Sequence, residues 1–141
     1  MRSSSDRRGW ELALGLLFEV DVGDSELQDA ADNMEDLRTA PAETANTALQ
    51  LAARVMGSRS RIDRLIKSHL ENYNLSRLPA VERSILRLAV SELTRPPGPP
   101  SRATVRLAAD LAGEYGGADS ARFVAGVLKG VIAEGGRRRE D

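Results

Sequence analysis

The chain has no cysteine, which excludes disulfides, thiolate nucleophiles and cysteine-ligated metal sites. It has a single histidine, His69, so a zinc centre of the usual His/Cys kind is implausible. Aromatic residues make up only 4%, so any core must be built from Leu, Ile, Val and Ala. No apolar run reaches the roughly 18 residues that a membrane-spanning helix needs. Arg2, Arg7 and Arg8 open the chain, but no apolar stretch follows that would make a secretion signal. Charge of one sign is also missing. The net charge is −1, so any attraction to nucleic acid must be local or shared with a partner. No alternating run reads as a strand, and no internal repeat is present.

What is there is helical patterning. At 141 residues, one domain over 1–136 with a charged tail at 137–141 is expected. The segment Ser76 to Leu93, SRLPAVERSILRLAVSEL, is the strongest element. Ser76 reads as its cap and Pro79 suits its first turn, where a missing N–H costs nothing. Leu78, Val81, Ile85, Leu88, Ala89 and Leu93 share one face. Leu86 and Val90 widen that face, so neighbours are expected on more than one side. The run Arg95-Pro96-Pro97-Gly98-Pro99-Pro100 ends it.

Upstream, residues 6–22 read as a first helix with Gly23 as its stop. Ser25-Glu26-Leu27-Gln28 matches a capping box. Leu27, Ala30, Ala31, Met34 and Leu37 give a short second helix. Pro41 opens a third, with a stripe of Ala45, Ala48, Leu49, Ala52, Val55 and Met56. Ile62, Leu65, Ile66, His69, Leu70 and Tyr73 continue the stripe past Gly57-Ser58. The pattern allows one kinked helix or two. Downstream, Ser101 caps a helix with Val105, Ala108, Leu111, Ala112 and Tyr115 inward, stopped at Gly116-Gly117. A last helix buries Phe123, Val124, Val127, Leu128 and Val131, and a frayed tail follows Gly135-Gly136. The fold class is all-α.

Chemistry-bearing constellations are few. His69 lies on an apolar stripe and reads as a packing residue. Gly113-Glu114-Tyr115-Gly116-Gly117 lacks the Lys-Ser/Thr of a phosphate loop. No cofactor is called for, and an enzyme is not expected. Two basic sites remain. Arg7-Arg8 reads either as a solvated terminus or as a pair that grips phosphate. Asp119-Ser120-Ala121-Arg122-Phe123 reads either as a capped helix start with Phe123 in the core, or as a place where an unpaired base stacks beside an arginine. Arg137-Arg138-Arg139 reads as a solubilising tail.

Four separated stretches resemble the NusB family, small all-helical bacterial transcription factors. Arg7-Arg8 with Glu11, Ala13 and Leu17-Phe18 is similar to the family's arginine-rich opening. Ile62-Asp63 through Leu70 resembles its IDxLIxxHL segment, and Leu78 to Leu93 its central LxxVDRAILRIAxYEL helix. Ala118-Asp119-Ser120 through Leu128 resembles DSxKFVNGVL. The resemblance implies about seven helices in two packed sub-bundles. It implies an RNA-binding antitermination factor that pairs with NusE, a small-subunit ribosomal protein, and binds boxA RNA in ribosomal RNA transcripts. It implies work in the cytoplasm with other Nus factors and RNA polymerase, as a monomer or a homodimer. By position, Arg7, Arg8, Asp119, Arg122 and Phe123 would meet RNA, and Phe18 and Glu82 would lie at the NusE contact.

Departures bear on the RNA site. Trp10 stands at a usual arginine position, Asp6 at a frequently basic one, Gly15 for Gln and Ala125 for Asn. Arg106-Leu107 replace a usual Asn-Glu. Two alternatives follow: a diverged protein-interaction scaffold without boxA binding, or the NusB-like part of a ribosomal RNA cytosine methyltransferase. For the latter, residues after 136 leave no room for an S-adenosylmethionine site.

Overall fold

The structure, a computed structural model, describes residues 4–71 and 74–140, with side chains described for 7–71 and 74–135. Among these residues there are seven α-helices, one 3-10 turn and no strand. They fall into two compact units, residues 1–57 and 58–141.

In the first unit, α1 (Ser4–Gly23) packs along α4 (Ala42–Gly57). Trp10, Ala13, Leu16, Leu17 and Val20 of α1 are buried, as are Ala48, Leu51, Ala52 and Val55 of α4. Small residues bring the two backbones close: a Cβ on Gly9 would stand 2.9 Å from Thr47 Cγ2. The α4 stripe departs from its expected position, since Leu51 and Thr44 are buried whereas Leu49 is half-buried.

The expected second helix is two, α2 (Leu27–Asn33) and α3 (Glu35–Thr39), separated by Met34 at φ −94°, ψ 104°. That extended residue carries its thioether over Gly15, where a Cβ would lie 2.8 Å from Met34 Cε. The helix-weakening glycine in α1 therefore has a packing reason. The capping box does not form: α2 is preceded by Glu26, and no side chain caps it. The left-handed residue after α1 is Asp24 at φ 53°, not Gly23. Pro41 sits one position before α4 and its carbonyl accepts from the Ala45 N–H.

In the second unit, α5 (Arg59–Lys67) begins after Ser58, whose φ of −128° and ψ of 22° leave the helical region. The pattern across Gly57-Ser58 is thus two helices. Tyr73 lies outside the described residues. A 3-10 turn (Leu75–Arg77) leads into α6 (Ala80–Thr94). Ser76 belongs to that turn and does not cap α6. Instead Asn74 caps the turn, accepting from the Ser76 N–H at 3.0 Å and from its hydroxyl at 2.9 Å. Arg83 Nη1 then donates to the Leu75, Ser76 and Leu78 carbonyls at 3.3, 3.3 and 2.9 Å. One guanidinium so satisfies three loop acceptors, and the turn is held against the helix it feeds.

Residues 84–92 of α6 are buried without a break, as expected of a helix touched on several sides. Ser84 Oγ has no hydrogen-bond partner among the described residues and is 1% exposed. Ser84→Ala removes that desolvated hydroxyl at little change in volume, so thermal unfolding should show a gain of about 1 kcal/mol. A loss of stability would mean the hydroxyl is bonded.

The two buried charged side chains in α6 both have partners. Arg87 makes a fork with Asp63 of α5, Nε to Oδ1 at 2.9 Å and Nη2 to Oδ2 at 3.1 Å. Glu92 is paired with Arg95 at 2.7 Å, and Arg95 Nη1 also donates to the Pro97 carbonyl at 2.9 Å. The Glu92 hydrogen bond raises the Arg95 pKa above its ordinary value, outweighing the opposite pull of burial. Gly98 completes this stop, because a Cβ there would be 2.7 Å from the Arg95 carbonyl oxygen.

The last helical run, α7 (Ser101–Glu140), is broken at Gly117, at φ 82° and ψ −175°. The expected glycine stop is there, and the chain turns sharply: a Cβ on Gly113 would be 3.5 Å from that of Ala121. The first arm buries Thr104, Leu107, Ala108, Leu111 and Ala112, the second Val124, Val127, Leu128 and Val131. Tyr115, expected inward, is 62% exposed, because it sits at the corner rather than along the packed face. The helix carries on through Gly135-Gly136 to Glu140 where fraying was expected. His69 Nε2 lies 2.7 Å from Glu134 Oε2, and its ring lies over Gly130, where a Cβ would clash at 2.7 Å. The histidine is a packing residue.

Candidate nucleic-acid interface

In the first unit, Arg7 and Arg8 occupy the exposed side of α1 near its start. Their guanidiniums are not idle. Arg7 Nε is 3.6 Å from Glu11, and Arg8 is 3.4 Å from Glu11 and 3.8 Å from Asp36 of α3. Their side chains remain 35% and 47% exposed. Pairs this exposed are worth about 0–1 kcal/mol, so either arginine can exchange its carboxylate for another anion at little cost. Trp10, one turn on from Arg7, anchors the helix in the core, being 1% exposed. This position faces the core, so in this chain it offers no surface for an arginine. Phe18, further along α1, is half-buried.

In the second unit, the corner of α7 meets the first turn of α6. Ser120 Oγ donates to Glu82 Oε2 at 2.6 Å. Gly116 makes room for this contact, since a Cβ there would be 2.8 Å from Ser120 Cβ and 3.8 Å from Glu82 Oε2. Beside it, on the exposed face, Arg122 donates to Asp119. Phe123 is half-buried rather than fully in the core, and Ser120 is 5% exposed. The structure therefore brings Glu82, Asp119, Arg122 and Phe123 to one corner, and Arg7, Arg8 and Phe18 to one helix.

Two participants were not visible in the sequence. Ser120 is 38 residues from Glu82, and no spacing rule links them. The exposed Tyr115 looked like part of a core stripe, and only the break at Gly117 shows otherwise. Chemically the corner offers one cation, carboxylate acceptors and two aromatic rings. Among the described residues no group of three or more acidic or histidine side chains can hold a metal ion. No helix among them is long and apolar enough to cross a membrane.

A family model described as the NusB family matches residues 7–133. The chain is 36% identical over 128 residues to the transcription antitermination protein NusB of Bacillus licheniformis, covering 91% of this chain and 96% of that one. It is 34% identical over 125 residues to the protein of the same name from Desulfatibacillum aliphaticivorans, covering 89% and 87%. These relatives are named as antitermination proteins, not as enzymes. Among solved structures, NusB of T. maritima superposes with a TM-score of 0.83 at 30% identity, over 92% of this chain and 91% of that one. A structure of antitermination factors NusB and NusE in complex with double-stranded RNA gives a TM-score of 0.85 at 22% identity, over 94% and 99%, a likeness of fold.

Proposed function

The chain belongs to the NusB family, and from that premise we propose that it is a non-catalytic, RNA-binding antitermination factor. It acts in the cytoplasm on boxA RNA of ribosomal RNA transcripts, paired with NusE, alongside other Nus factors and RNA polymerase. The observation that carries the reading is the pair Arg7-Arg8, half-buried and exposed in turn, whose guanidiniums both reach Glu11 on a helix anchored by the buried Trp10. Phosphate competes for these guanidiniums with Glu11 and Asp36, and a bidentate phosphate contact is stronger than the long, solvent-screened pairs it displaces. Arg122 gives up Asp119 in the same way. Asp119 is then an acceptor for a base amino group, and the half-buried Phe123 offers a ring to an unpaired base. Phe18 and Glu82 serve the NusE contact. A net charge of −1 fits a surface whose positive field is completed by the partner.

A second reading rests on the same carboxylates. Arg7, Arg8 and Arg122 all have an acidic partner in place, which suits a protein-binding scaffold that has lost its RNA. Fluorescence anisotropy with a labelled boxA-type single strand and a scrambled strand separates the two, run with and without NusE. Preferential boxA binding that NusE strengthens is expected. Arg7→Ala/Arg8→Ala should make the salt dependence shallower, by roughly 0.7 in log–log slope for each phosphate that the variant no longer neutralises. Equal affinity for both strands, or none with NusE bound, would leave the scaffold.

A further inference from the structure

The second unit carries a groove that the RNA reading does not use. Its volume is about 630 Å³, within the ~300–1,000 Å³ range of ligand-binding clefts. Leu65 of α5, Leu93 of α6, and Val131 and Ile132 of α7 give it an aliphatic floor, with the Ser68, Thr94 and Ser101 hydroxyls between them. Arg61 and Arg64 of α5 line one side. Arg61 is held there by a 3.2 Å hydrogen bond from Nη1 to Thr94 Oγ1.

The cations on this side have no carboxylate in ion-pair contact. Arg61, Arg64 and Lys67 recur every three residues along the exposed side of α5. Among the described residues none of the three makes an ion pair. Of the nearby acids, Asp63 pairs with Arg87 and Arg59, and Glu134, which also lines the groove, is bonded to His69. This sets α5 apart from the starts of α1 and of the second α7 arm, where every arginine singled out has a carboxylate beside it.

We infer that this groove is a docking site for an acidic, amphipathic peptide segment of a protein partner, with aliphatic side chains on the floor and carboxylates against Arg61, Arg64 and Lys67. The floor decides between peptide and nucleic acid. Phosphates would satisfy the basic ridge but leave the half-buried Leu65, Leu93 and Ile132 without a complement, and the lining contains no aromatic ring on which a base could stack. A helix with leucines on one face and glutamates beside them satisfies both parts at once.

The test uses the full chain and a synthetic peptide, acetyl-Glu-Leu-Ala-Glu-Leu-Leu-Glu-Ala-Leu-Glu-amide. Two controls carry lysine in place of every glutamate, or serine in place of every leucine. Methyl NMR should show the acidic leucine peptide shifting the Leu65, Leu93, Val131 and Ile132 signals, with neither control doing so. Arg61→Glu/Arg64→Glu should weaken binding at least tenfold. Both side chains are exposed and the one bond lost is the exposed Arg61–Thr94 contact, so the variant should melt cooperatively and only slightly below the parent. The wild-type peptide series keeps the idea falsifiable even if that variant unfolds. Unmoved methyls at 1 mM peptide, equal binding by the lysine control, or larger shifts with single-stranded RNA than with the peptide would each overturn it.

Discussion

Asp63→Ala should lower stability by about 3 kcal/mol, a larger loss than its partial exposure alone would suggest. The reason lies in what remains. Arg87 is 7% exposed, and its fork is filled by the two Asp63 oxygens at 2.9 and 3.1 Å. Removing the carboxylate takes both of these hydrogen bonds from a guanidinium that water reaches poorly. Arg59, at 3.9 Å from Asp63, is itself cationic and offers no relief. The double variant Asp63→Leu/Arg87→Met should lose far less than Asp63→Ala, because a buried pair replaced on both sides by apolar groups is often near neutral. Urea unfolding of the three proteins at equal m-value measures this. A loss below 1 kcal/mol in the single variant would show that the fork contributes little. A double variant worse than the single would show that the pair is a net stabiliser of α5 against α6.

Trp10→Arg should be more damaging, about 4 kcal/mol or more. It introduces the residue that resemblance to an arginine-rich opening leads one to expect at this position. Surface logic would call it harmless, or even a gain in RNA affinity. The structure says otherwise, since Trp10 is 1% exposed and among the largest fully buried side chains. The exchange removes the ring's packing and puts an ionised group where no water follows. Trp10→Phe, which leaves a smaller cavity, should lose about half as much. Circular dichroism melts rank the three proteins. An arginine variant as stable as the parent would mean that α1 can turn this position outward.

These two sites show where the sequence was readable and where it was not. The stripes of Ile85, Leu88 and Ala89, and of Val124, Val127 and Leu128, were legible because the 3.6-residue period and burial report the same thing. The helix boundaries were less so. Ser25 and Ser76 both looked like caps, yet a cap works only if the helix begins beside it. Before α6, Arg83 gathers three carbonyls into a turn that takes up Ser76, and α2 begins only at Leu27, with Glu26 rather than Ser25 in front of it. Tyr115 fell on a helical stripe and was assigned to the core, because periodicity cannot see that a stripe has run past its last neighbour. At the candidate interface, Arg7, Arg8 and Arg122 were visible as cations and the helical spacing offers them Glu11 and Asp119, but Asp36 becomes a partner of Arg8 only through the packing of α3. The Glu82–Ser120 contact depends on tertiary folding alone.

The break at Gly117 has a consequence for how this chain can tolerate changes in length. A residue inserted into an unbroken helix rotates everything beyond it by about 100°, which takes a buried stripe out of register. In an uninterrupted run from Ser101 to Glu140, such a change near the start would misdirect Val124, Val127, Leu128 and Val131 together. The non-helical residue stops that error from propagating, so each arm keeps its own angular register. Insertions or deletions among relatives should therefore gather at 116–118.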